Sequence, residues 1–337
     1  MKKHLFSQKG KFYKANLHCH TTVSDGRCSP EEIKRRYKEM GYSIVAFTDH
    51  VVMVDHSDLN DESFLALKGY EIHVNADEPS DWNYKKTYHL NFIAKDKDND
   101  IQVCFNPRIV FSNARAYVPF VKYKGDFYDY KYSPDCINDM IRIANENGFL
   151  VNYNHPKWSL QDYRDYGSLR GLYGVEVFNG SCVPLATYDD NASAYAEMIR
   201  NEPNLIPLAV DDNHNINGFD SPYCDSFRGF NMIKAESLSY SDVIDALLRG
   251  DTYASTGPEI YELYVEDGVV YIKTSPVCDI ALVTNGRNGV RVRKDNGEEI
   301  YGAEFALDET NTPFRIEMTD KKGKKAYTRM YTLDECK

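Results

Sequence analysis

The sequence lacks any apolar run approaching the ~20 residues needed to span a bilayer, so no transmembrane helix is expected. It lacks a signal peptide too: the opening MKKHLFSQKG is basic but has no apolar stretch behind the charges. Its eight cysteines are scattered and form no CxxC pair, which argues against a disulfide framework or a zinc ribbon. A reduced, cytoplasmic protein is the expectation. Positive charge is also in short supply, with 40 basic residues against 51 acidic ones and a net charge of -11. Such a surface repels phosphate backbones, so stable nucleic-acid binding is not expected, although a local basic pocket for a small anion is still allowed.

What is present is an ordinary globular composition, with 42% hydrophobic and 27% charged residues in a chain of 337. That length can bury a large core, in one big domain or two. Tyrosine is abundant, at 26 residues, which suits clefts lined with hydroxyl-bearing rings but locates none of them.

From residue 16 to about 255, short apolar strands alternate with amphipathic helical stretches. Ser29-Pro30-Glu31-Glu32 reads as an N-cap, a first-turn proline and acidic residues at the positive end of the helix dipole, and Gly41 is the stop. Ser133-Pro134-Asp135 opens a second helix, a third covers about 192–200, and a fourth runs from Ser239 to Leu248 before Gly250. Ile44–Phe47, Gly69–His73, Phe149–Val151, Val175–Asn179 and Ile206–Val210 read as strands. This alternation implies an α/β layered or barrel fold, whose strand ends form the active-site face. After about Gly257, strands separated by Asp-Gly, Asn-Gly and Lys-Gly turns imply a small all-β region. We therefore expect one domain over 1–256 and a β-rich one over 257–337. Two segments read as insertions, about 77–87 and about 104–132, and long loops of this kind often act as lids or specificity elements.

Polar residues of ligand type recur where the apolar strands end. His18 and His20 are two apart, so on a strand both imidazoles face one way and Cys19 the other. Paired imidazoles are a common start to a divalent-metal site. His50 closes the strand after Thr48-Asp49, Glu71 ends another apolar approach, His89 lies in Tyr88–Phe92, and His155 ends the strand from Phe149. Asp212 and His214 repeat the two-residue spacing, and Asp25 sits in Ser24-Asp25-Gly26. Each of these has a bland explanation by itself, as a cap, a hydrogen-bonded core histidine or a solvated acid. Taken together, at similar places in one fold, they argue for a metal centre.

The string His18-x-His20-x4-Asp25-Gly26, Thr48-Asp49-His50, Gly69-x-Glu71, His89-Leu90, Asn154-His155-Pro156 and Asp212-x-His214 resembles the PHP (polymerase and histidinol phosphatase) superfamily over residues 14–255. Gly250–Pro258, followed by the β tail, further resembles its carbaryl-hydrolase-like branch. The resemblance implies a distorted (β/α)7 barrel holding two or three divalent metal ions. By analogy His18, His20, Glu71 and Asp212 hold one ion and Asp25, His50 and His214 a second. Glu71 bridges to a third, completed by His89 and His155. Mixed imidazole and carboxylate ligands suit Zn, Mn or Fe alike. The implied chemistry is attack on phosphorus or a carbonyl carbon by a hydroxide bridging two metals. Asp212 and His214 are candidates for moving protons, although a metal-bound residue is a poor free base.

Phosphate recognition also calls for cations. Arg27 follows the Asp-Gly motif, Lys157 follows His155-Pro156, and Arg228 lies in a Gly-flanked loop after Asp212-x-His214; Arg108 and Arg115 lie in the longer insertion. His73 shares a strand face with Glu71, Asp49 and Asp211 are placed to orient ligands, and Glu176 and Asn179 end a strand toward the same face. The leading expectation is a metal-dependent phosphoesterase acting on a small phosphorylated metabolite or nucleotide. The alternatives are hydrolysis of a carbamate, ester or amide, and a non-catalytic metal-binding module.

Overall fold

The structure is a computed structural model that describes residues 2–185, 188–294, 297–308 and 312–336. The helices begin and end where their local chemistry directs. Ser29 Oγ accepts the Glu32 N–H and Ser133 Oγ the Cys136 N–H, so Pro30–Glu39 and Pro134–Glu146 both start on a capped proline turn. Tyr240–Arg249 stops at Gly250, which adopts φ +71°. The third helix covers Ala192–Met198, slightly shorter than expected. In the Pro134–Glu146 helix, Ile137, Met140, Ile141 and Ala144 form one buried stripe against the strand Phe149–Tyr153 and its neighbours.

A 13-stranded sheet organises the molecule, in the order 206–210, 174–179, 149–153, 87–94, 65–75, 44–47, 11–16, 230–235, 252–255, 325–328, 314–319, 279–284, 289–293. Among its first seven strands, neighbours pair parallel except at 87–94, which runs antiparallel to both 65–75 and 149–153. The beginning of 87–94 therefore lies level with the far ends of the strands around it. Register pairs His73 with His89 and Glu71 with Asn91, which puts all four side chains on one face.

The closed barrel implied by the resemblance is not what the backbone ladder forms. The fold is mixed α/β with a large open sheet. Buried amide side chains span the place where its 206–210 edge returns to 11–16 and 230–235. Asn231 Nδ2 donates to Ala209 O at 2.9 Å, and Asn16 Oδ1 accepts the Asp211 N–H at 3.0 Å. Just beyond, Asp212 N–H donates to His18 O at 3.0 Å and His20 N–H to Asn213 O at 3.1 Å. These few bonds hold the His18–His20 and Asp212–His214 segments side by side.

The tail strands 260–266, 269–277 and 300–306, joined by Lys3–His4, form a second antiparallel sheet. Leu263, Val265, Ile272 and Phe305 on it pack with Ile280, Leu282 and Ile316 of the large sheet into a separate apolar core. Pairing continues from 252–255 into 325–328, so the tail extends the same sheet. Of the two ends of that sheet, 206–210 is wholly buried, whereas 289–293 is mostly exposed and carries Arg291 and Arg293 beside Asp279. Among the described residues no helix is long and apolar enough to cross a membrane, and none of the eight cysteines is in a disulfide.

Candidate metal centre

The nine residues expected to ligate metal all lie at one end of the first seven strands. His18 Nε2 and His20 Nε2 are 3.1 Å apart, and each is 3.1 Å from Asp212 Oδ1. Glu71 lies among the histidines, with His18 at 3.3 Å, His20 at 3.5 Å, His50 and His89 each at 3.0 Å, and His155 at 3.6 Å. Asp25 faces His20 at 3.8 Å, His50 at 3.7 Å and His214 at 3.6 Å. Three groups of mutually close ligand atoms result: His20, Asp25, His50 and His214; His18, His20 and Glu71; Glu71, His89 and His155. His20 thus also faces the second group, which the resemblance assigned to Asp25, His50 and His214 alone.

The donor set fits divalent cations. Two imidazole Nε2 atoms that face each other and one carboxylate oxygen are poorly matched as hydrogen-bonding partners, but they converge as lone pairs on a cation. His20 Nδ1 and His50 Nδ1 are buried without any hydrogen bond, an arrangement that ordinarily costs free energy. Burial opposes charge on His18, yet Asp212, Glu71 and Glu176 outweigh it and hold this imidazole well above its ordinary pKa. Burial likewise opposes charge on Glu71, where the surrounding His89, His18 and His50 prevail and keep it well below the usual carboxylate range. His50 moves the other way: burial, with His20 beside it, lowers its pKa well below the ordinary value.

Further carboxylates and amides fix the orientation of the cluster. Glu176 Oε1 accepts from His18 Nδ1 at 2.7 Å, which turns the Nε2 lone pair of His18 toward Asp212 and His20. Its other oxygen accepts the His155 N–H and the Asn179 amide, each at 2.8 Å. Asp49 accepts from Thr21 and Ser24, setting the loop that carries Asp25. Gly26 is required in that loop, because a Cβ there would meet His20 O at 2.6 Å. Asp225 accepts the His214 and Asn215 N–H groups. Asp211 receives the Phe227, Arg228 and Gly229 N–H groups and the Tyr37 hydroxyl, while burial pushes its carboxyl up to about 6. His155 and Asp212 take φ of 25° and 51°, and Val51, next to His50, takes 65°. Left-handed backbone at three non-glycine residues costs roughly 1–2 kcal/mol each and is typical of functional turns. Glu176→Gln is expected to lower metal affinity about 10- to 100-fold, read by competition with a chromophoric chelator; unchanged affinity would reduce Glu176 to packing.

Sequence proximity misled for the cations. None of Lys157, Arg228 and Arg27 lines the cavity over the cluster. Arg228 is held away by its own loop, its guanidinium donating to Cys224 O and to Pro222 O. Lys157 and Arg27 point to solvent, and neither Arg108 nor Arg115 reaches the site. His73 does line the cavity, and burial pushes its pKa down to about 4, so it is neutral at pH 7. The cavity, about 460 Å³, is walled instead by Trp82, Phe111, Trp158, Cys182 and Leu185. These come from both expected insertions and from two loops the sequence did not single out, and no residue beyond 214 is among its lining.

Comparison with known proteins places part of the chain. No curated protein matches it. Among solved structures it is similar to a two-domain protein of Bacteroides vulgatus described as containing a predicted PHP-like metal-dependent phosphoesterase, at 16% identity and TM-score 0.45 over 98% of each chain. It is also similar to a protein of Bifidobacterium adolescentis named as a metal-dependent phosphoesterase, at 17% identity and TM-score 0.38 over 73% of this chain and 98% of that one. A third is an amidohydrolase of Chromobacterium violaceum with bound sulfate and no metal, at 17% identity and TM-score 0.39 over 62% and 93%. The PHP domain family matches residues 16–105, which include His18, His20, Asp25, His50, Glu71 and His89 but not the Gly250–Pro258 motif behind the carbaryl-hydrolase-like resemblance. Residues 16–105 thus match the PHP domain family, the stretch that holds the first four motifs of the resemblance, His89 included.

Proposed function

We propose that this chain is a metal-dependent phosphoesterase acting on a small phosphate monoester. The observation that supports it most is the convergence of seven buried or half-buried ligand-type side chains, Asp25, His50, Glu71, His89, His155, Asp212 and His214, on the floor of one cavity. His18 and His20 would hold cations from beneath them. Zn, Mn or Fe bound there would supply positive charge for substrate oxygens and acidify water. Two or three ions would fit.

The chain's own groups provide the remainder. Glu176 and Ser159 contact the Nδ1 atoms of His18 and His155, leaving each Nε2 directed at the cluster. His214 Nδ1 donates to Asp212 O at 2.9 Å, so its Nε2 faces Asp25 as a lone pair. At 19% side-chain exposure, beside Asp25 at 29%, His214 is the most open imidazole of the cluster. We assign to it the transfer of the proton that the attacking water gives up to the departing oxygen. Asp212 holds His18 and His20 in register. Lys157, Arg228 and Arg27 are left out of this reading. The division into 1–256 and 257–337 is kept, with the tail as a supporting domain.

A specific observation favours a second reading, hydrolysis of an aryl carbamate, ester or amide: among the described residues no Lys or Arg lines the cavity. Turnover of matched aryl phosphates and aryl carbamates by the metal-loaded protein separates the two. Hydrolysis of carbamates alone would overturn the phosphoester reading, and hydrolysis of neither would favour a metal-binding module.

A further inference from the structure

The cavity has two unlike ends. One is the imidazole and carboxylate cluster, flanked by Phe111 and Trp158, and the other is apolar and adds Trp82 and Leu185. Phe111 lies 4.9 Å from the His50 ring, and Trp158 lies 5.0 Å from His155 and 5.5 Å from His89. Aromatic walls therefore stand on both flanks of the cluster. The Trp82 and Trp158 rings are 6.4 Å apart at 63°. Beyond them is a second groove of about 160 Å³, and Trp82, Trp158 and Leu185 line both spaces. Thr87, Leu160 and Tyr188 continue the groove, while its one lysine, Lys85, directs its ammonium to Asp77 O at 3.1 Å. Trp82 and Leu185 are 52% and 49% exposed, so large apolar surface lies open where the two spaces adjoin.

We propose that Trp82 and Trp158 form a gate that selects the part of the substrate carried away from the reacting centre. The selected group is flat, aromatic and uncharged, and long enough to pass between the two spaces. The inference rests on the cluster being the reacting centre, but it does not depend on which bond is cut. With no Lys or Arg among the described residues lining the cavity, and the groove's Lys85 turned to Asp77 O, a second phosphate on the substrate would be desolvated without a partner in the cavity. A flat ring would gain apolar burial and ring-edge contacts. Multiply phosphorylated sugars are thus excluded, and extended aryl esters are favoured.

These two are the chain's only tryptophans, so intrinsic fluorescence reports on the gate directly. Binding of phenylphosphonate, biphenyl-4-ylphosphonate and fructose 1,6-bisphosphate to Zn-loaded protein would be followed by tryptophan emission and by calorimetry. The biphenyl compound is expected to bind on the order of tenfold more tightly than the phenyl one, and the bisphosphate more weakly than either. Trp82→Ala should bring the two arenes close to equal affinity, while Trp82→Phe should keep most of the difference. Trp82 sits half-exposed on a short turn, so this variant avoids the core; Trp158→Ala is the second test. Equal affinities in the wild type, or a ratio unmoved in both alanine variants, would overturn the gate. If no phosphonate binds but biphenyl-4-yl N-methylcarbamate binds more tightly than its phenyl analogue and Trp82→Ala abolishes that difference, the gate stands and the phosphoester reading falls.

Discussion

Asp212→Ala is expected to reduce turnover of any accepted ester by roughly 1,000-fold or more, equivalent to about 4 kcal/mol of transition-state stabilisation. The reason is positional. Asp212 Oδ1 is the carboxylate oxygen 3.1 Å from both His18 Nε2 and His20 Nε2, and its other oxygen is held by the Asn179 amide at 3.1 Å. Removal takes away the carboxylate oxygen closest to both Nε2 atoms and leaves Glu71, at 3.3 and 3.5 Å, as the one carboxylate they share. Asp212→Asn keeps the shape and removes only the charge, so it should lose metal and activity together. Metal content by elemental analysis and rates on an aryl phosphate decide the matter. A variant with full activity would exclude Asp212 from the centre.

Loading with Zn or Mn is expected to raise stability by about 4 kcal/mol at a free-metal concentration near 1,000 times Kd, because the ion binds the folded chain and not the unfolded one. The gain should depend on pH in one direction. The metal-free fold raises the pKa of His18, and those of His20 and His155 also rise once nearby carboxylates outweigh burial. Protons are therefore held on these rings above the ordinary histidine value and must leave before a cation binds. The thermal shift on adding metal should be largest in mildly alkaline buffer and shrink as pH falls through and below neutrality. A shift independent of pH, or none, would count against these histidines as ligands.

Much of this arrangement could be read in the chain before its structure. Apolar strands such as Ile44–Phe47 and Ile206–Val210 end in His50 and in Asp212-x-His214, and a strand end is a defined place in an α/β fold. The reversed direction of the 87–94 strand was not legible, because an apolar run bears no mark of its polarity in a sheet. His89 thus reaches the cluster from the start of its strand. The cations misled because adjacency in sequence says nothing about direction once the backbone turns through left-handed residues such as His155 and Asp212. The aromatic wall was hidden for another reason. Trp82, Phe111, Trp158 and Leu185 lie on four separate loops, and no local pattern links them.

The two ends of the 13-stranded sheet carry a consequence for how the protein behaves in a crowded solution. A long sheet with a bare flat margin invites further strands from other molecules. Here one margin, 206–210, is buried in the molecule, and the other, 289–293, presents Arg291 and Arg293. A strand arriving at that margin would have to bring its own backbone alongside the two guanidinium groups. The tail thus moves the sheet's growing margin away from the buried 252–255 strand, with which it pairs, to a place guarded by charge.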